Sequence, residues 1–180
     1  MIFRPTPVHA ALLVEMNCHK DERGYFARTW CADEFARQGL NAKLNQCSVS
    51  CNTLRGTLRG MHYQASPSLE AKLVRCTRGA IYDVIVDARR GSPSEARFFG
   101  LRLSQDSQTM VYVPEGVAHG FITLTDDTEV SYWISAAYNP EDQAGFRWDD
   151  PEIGIEWPMQ PVRISDRDAE LPSFFRRRIP

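Results

Sequence analysis

The 180-residue chain has no apolar run approaching the ~20 residues that a bilayer span requires. It also has little net charge, since 21 basic and 23 acidic side chains leave −2 at neutral pH. No basic field is therefore available for nucleic acid or an anionic membrane surface. Cysteine is sparse and odd in number: Cys18, Cys31, Cys47, Cys51 and Cys76 form no C-x-x-C pair. That argues against a disulfide framework or zinc ribbon and for a reducing, cytoplasmic setting. Cys47 and Cys51 read as half-buried strand thiols. The opening residues, MIFRPTPVHAALLVE, lack the charged region and long apolar core of a secretory leader. Repeats, low-complexity tracts and linkers are missing too, so residues 1–180 read as a single domain with a sizeable core.

What the chain does contain is a succession of short β-prone runs. KLVRC, AIYDVIVDA, FFGLRL, TMVYVP, GFITL and EVSYWIS are rich in β-branched and aromatic residues. Gly, Pro, Ser or Asp separates each from the next. The clearest early helix is DEFARQ, with acids in its first turn and Gly39 at its end. The tail from Asp150 to Pro180 holds five prolines and reads as turns and one short helix over the core. Many evenly spaced strands predict a mainly β fold, a jelly-roll β-barrel with a few short helices.

Only four histidines are present, and His62 in LRGMHYQ is the most informative. It reads as a metal ligand, a packing residue or a base. VPEGVAHGF, residues 113–121, has the P-x-G-x-x-H pattern of a second cupin metal motif, and RGMHYQ with the later Gly79 would form the first. A metal-binding cupin needs a second histidine two residues on and then an acid. Gln64 stands in place of that histidine, and Lys72 stands in place of the acid. An ammonium only donates and repels a divalent cation, so the expectation is no metal. A fixed cation can instead stabilise an oxyanion. Imidazole, with an ordinary pKa of ~6.5, is suited to moving protons. The pocket then reads as proton abstraction next to a carbonyl, with Lys72 holding the enolate.

Together these residues resemble the dTDP-4-dehydrorhamnose 3,5-epimerase family, metal-free cupins acting on nucleotide-linked 4-keto-6-deoxy sugars. The resemblance runs along almost the whole chain through DERGYF, Q-x-S-x-S, LRGMHYQ, EAKLVRCTRGAIYDVIVDARRGSPS, VPEGVAHGF, EVSYWISAAYNPE, WDDPEIGIEWP and ISDRD. It implies His62 as general base, oriented by Asp168, although spacing alone leaves Asp166 equally placed. It implies Tyr132 as the acid on the opposite face of the sugar, since a base returning its proton to the same face inverts nothing. No redox cofactor is implied, because the C4 ketone already acidifies its neighbours.

For the nucleotide diphosphate the resemblance implies Arg23 and Arg59, with Gln46, His119 and Arg167 nearby, Phe26 stacking on the base and Tyr138 touching nucleotide or sugar. A hydrogen bond from His119 to Asp83 is an equally good structural use of that histidine. Family members are usually homodimers in which the N-terminal part of one subunit completes the other's site. Arg28, Ser48 and Gln143 depart from the family pattern at recognition positions, which leaves CDP-, GDP- and UDP-sugars open beside dTDP. A C3-only epimerase, a non-catalytic sugar-binding cupin and a metal-dependent cupin are the competing functions. One geometric expectation is unfavourable. Arg59 and His62 lie three apart, and on a regular strand such residues face opposite sides.

Overall fold

A computed structural model of the protein describes residues 1–175; the end of the expected tail, 176–180, lies outside the described residues. In chain order the early elements are β1 (Ile2–Pro5), β2 (Leu12–Glu15), β3 (Cys18–Asp21), β4 (Gly24–Ala27), α1 (Ala32–Arg37), β5 (Gln46–Asn52) and β6 (Leu58–Gln64). There follow β7 (Lys72–Arg78), β8 (Ala80–Asp87), β9 (Phe98–Ser104), β10 (Thr109–Val113) and β11 (Val117–Thr123). The last are β12 (Thr128–Ile134), β13 (Gln143–Gly145) and α2 (Asp166–Ala169). Each of the six β-prone runs lies on one of the strands β7 to β12.

The strands form a six-stranded sheet, ordered β1-β2-β10-β7-β12-β5, and a five-stranded sheet, ordered β13-β6-β11-β8-β9. The hairpin of β3 and β4 belongs to neither. The two sheets lie face to face as a jelly roll. This is the jelly roll expected from sequence, and among the described residues no strand pairs into both sheets.

Alternation on the strands explains the packing. Ile81 and Ile85 of β8 and Phe121 of β11 meet Val74, Val111 and Val130 of the other sheet in a fully buried cluster. The intervening Val84 and Val86 point outward, where Phe146, Ile153 and Phe174 from the C-terminal region cover them. Burial on both faces is why AIYDVIVDA reads as a continuous apolar run. On the outside of the six-stranded sheet, Phe35 of α1 packs with Val14, Leu73, Met110 and Tyr112. Each large side chain so buried contributes about 1.5–3 kcal/mol of transfer free energy. Cys47 and Cys51 are exposed rather than half-buried. They sit on β5, the edge strand of the six-stranded sheet.

Candidate active site

A cavity of about 590 Å³ opens between the two sheets. One wall carries residues of β5, β7 and β12, and the other carries residues of β6, β11 and β13. The two-residue period of a strand decides which side chains reach it. Gln46, Ser48 and Ser50 of β5 line it, as do Tyr132 and Ile134 of β12. The register puts Ser48 beside Tyr132, and Gln46 and Lys72 on either side of Ile134.

His62 projects from β6 into this cavity, and its Nε2 lies 2.8 Å from Asp168 Oδ1. The second carboxylate oxygen of Asp168 accepts the Gly60 backbone N–H at 3.1 Å. Asp168 is buried, while Asp166, the alternative left open by spacing, is exposed. The cap decides between them. Ser165 accepts the Asp168 N–H and starts α2, turning its third residue inward. Burial pushes the Asp168 carboxyl up. The hydrogen bond and charge of His62, with the Gly60 N–H and Ser165, outweigh burial and hold it below the usual carboxylate range. The aspartate therefore stays ionised and fixes the imidazole by one nitrogen.

On the facing wall, Tyr132 lines the cavity. Burial raises the phenol's pKa well above its ordinary value, the Asp83 carboxylate adds to this, and Arg59 opposes it. The phenol is thus neutral across the whole physiological range. His119 does both things expected of it. It lines the cavity, and its Nε2 lies 2.7 Å from the fully buried Asp83. Its ring meets Tyr132 edge-on, with centroids 6.0 Å apart.

Lys72 lines the same wall as Tyr132, and its ammonium is 2.9 Å from Glu70 Oε1. Glu70 was not anticipated. Its signal was present in the Glu70-x-Lys72 spacing, because residues two apart on extended chain share a face. The ammonium keeps two donors beyond that bond, enough to meet a developing oxyanion.

The strand β6 resolves the spacing problem. Opposite it, β11 advances two residues from His119 to Phe121, while β6 advances three, from His62 back to Arg59. The extra residue makes a β-bulge, so Arg59 and His62 both line the cavity. Gly60 sits in the bulge at φ +131°, and a Cβ there would stand 2.6 Å from the Gly120 Cα. Only glycine meets both conditions.

Among the other sequence candidates, Tyr138, Gln143 and Arg167 line the cavity, and the Tyr138 hydroxyl donates to the Gln143 side chain. Arg59 donates to Asn52 Oδ1 at 2.7 Å. Three candidates lie elsewhere in the chain. Arg23 pairs with Asp21 on the detached hairpin, Phe26 on the same hairpin is 77 % exposed, and Arg28 pairs with Glu34. None of the three lines the cavity of the single chain. Among the described residues no helix is long and apolar enough to cross a membrane.

The model of one protein family, dTDP-4-dehydrorhamnose 3,5-epimerase, matches residues 5–175. The chain belongs to that family. A dTDP-4-dehydrorhamnose 3,5-epimerase of Sinorhizobium fredii is 40% identical over 174 residues, 96% of this chain and 89% of the relative. The crystal structure of the enzyme of that name from Elizabethkingia anophelis superposes with a TM-score of 0.93 at 33% identity, covering 97% of this chain and 96% of the other. A dTDP-4-dehydrorhamnose 3-epimerase of Streptomyces niveus is 36% identical over 171 residues, 94% of this chain and 82% of the relative. As a member of the family the chain is an epimerase with a cupin-like fold.

Proposed function

We propose that residues 1–180 form one cytoplasmic epimerase domain that inverts C3 and C5 of a dTDP-linked 4-keto-6-deoxy sugar, with no metal or redox cofactor. One observation carries this reading: a His62–Asp168 dyad and the Tyr132 hydroxyl reach one cavity from facing sheets. Inversion of a carbon needs a base on one side of the ring and an acid on the other, and two facing walls supply that arrangement.

His62 takes the proton from C5, and the C–H electrons move into the C4 ketone to give an enolate. Lys72 meets the enolate oxygen, with Glu70 holding the lysine in place. Tyr132 returns a proton to C5 on the opposite face, and solvent resets both residues. The same cycle at C3 completes the reaction. Asp168 orients His62 and offsets the charge the imidazole gains. Arg59 and Arg167 provide guanidinium forks for the diphosphate. Gln46, Ser48, His119, Tyr138 and Gln143 hold the sugar and nucleoside. The exposed Arg23 and Phe26 complete the site of a partner subunit in a homodimer, and Arg28 belongs to the same recognition surface.

Proton NMR of the product formed from dTDP-4-keto-6-deoxyglucose in deuterated buffer tests the reading. Deuterium and inversion at both C3 and C5 are expected. Label at C3 alone would replace it with the C3-only reaction that the Streptomyces niveus relative's name describes. Absence of label at either carbon, despite binding, would leave a sugar-nucleotide binding protein.

A further inference from the structure

The cavity holds one polar side chain that the proposed chemistry does not use. Gln64 is 2 % exposed and lines the cavity, yet neither its amide nitrogen nor its amide oxygen has a hydrogen-bond partner. Its neighbour in register on β13, Gln143, accepts from Tyr138 instead of bonding to it. Buried amides in proteins are almost always satisfied, and an unbranched apolar side chain would fill this position without loss. A group that costs stability at the wall of a binding cavity points to a ligand that repays it.

Orientation and chemistry narrow that ligand. Met61, and in part Tyr63, packs outward against the cluster around Phe146 and Phe174, while His62 and Gln64 line the cavity from β6. The amide thus stands one pleat from the base. It offers a donor and an acceptor side by side, which matches a hydroxyl, itself donor and acceptor. Resting on the epimerase reading above, we infer that Gln64 grips a pyranose hydroxyl and positions the ring against His62.

The test measures deuterium exchange at C5 for the wild type and Gln64→Met, using the 4-keto-6-deoxy sugar nucleotide and its 2-deoxy and 3-deoxy analogues. The variant is expected to lose about ten- to a hundredfold in kcat/KM while its Tm holds or rises. One deoxy analogue should be penalised by the wild type and not by the variant, the mark of a direct contact. Unchanged kcat/KM, or a Tm lowered by several degrees, would overturn the inference, the latter because the amide then has a partner within the protein. The analogues keep it testable even if the variant does not fold: a wild type indifferent to both missing hydroxyls also overturns it. A wild type that binds the parent compound without exchange overturns the epimerase reading first, and this inference with it.

Discussion

Arg59 and His62 face the same cavity from one strand because a bulge at Gly60 adds a residue between them. The bulge depends on backbone packed against backbone, since Gly60 and Gly120 leave no room for a Cβ on either strand. Gly60→Ala places a methyl group against the Gly120 Cα at a positive φ that L-residues rarely adopt. It should cost about 1–3 kcal/mol in urea unfolding. The misplaced base should lower turnover by about a hundredfold. A variant with wild-type stability and rate would show that the bulge positions nothing.

The dyad makes a second prediction. His62→Ala should reduce C3 and C5 exchange by about 10²–10⁴. Asp168→Asn should do comparable damage, because an amide can present a donor to His62 Nε2 and disturb the tautomer. Solvent exchange followed by NMR reads both. Full exchange in His62→Ala would remove the residue from the mechanism.

Tyr132→Phe separates the two halves of the reaction. The base wall is untouched, so label should still enter the recovered substrate, while inverted product falls by about 10²-fold or more. Normal inversion would assign the acid to another group.

Asp87 gives a pH prediction remote from the cavity. It accepts two hydrogen bonds from the Arg89 side chain and one each from Ser92 and Ser94. Burial pushes its carboxyl up, but these bonds prevail and hold it at about 2. A depressed folded-state value stabilises the protein fully above the unfolded carboxylate value of ~3.9, and the contribution is lost as pH falls toward 2. The contribution is on the order of 2 kcal/mol at neutral pH. The urea midpoints of wild type and Asp87→Asn should therefore differ at pH 6 and converge between pH 4 and pH 2. A gap independent of pH would contradict this.

The hairpin makes the last prediction. If Arg23 serves the partner's cavity, Arg23→Ala and His62→Ala subunits are each inactive alone. Mixed and reassociated in equal amounts, they should recover about a quarter of wild-type activity, because half the dimers carry one intact site of two. No recovery in verified heterodimers would place Arg23 outside the site.

Much of this molecule was legible in its sequence because strands write their environment locally. The runs from Lys72 to Ser135 announce β7 to β12, since alternation and β-branching are set by nearest neighbours. Their near-continuous hydrophobicity at Ala80–Asp87 already reported burial on two faces. The replacement of metal ligands by Gln64 and Lys72 pointed to a base at His62 in place of a ligand, an argument that needs only charge and donor type.

Other features required the tertiary structure, for reasons of distance along the chain. Asp168 and Asp166 are equivalent until the Ser165 cap turns one of them toward a strand more than a hundred residues away. The Arg59–His62 spacing looked wrong because a bulge is a property of two strands, and only the pairing with β11 shows the extra residue. Gln64 read as a missing ligand, and only its burial without partners, in the cavity wall beside His62, marks it as a group that waits for the substrate. Sequence determined which chemical groups the protein owns; the opposition of two sheets decided which of them stand on either side of one cavity.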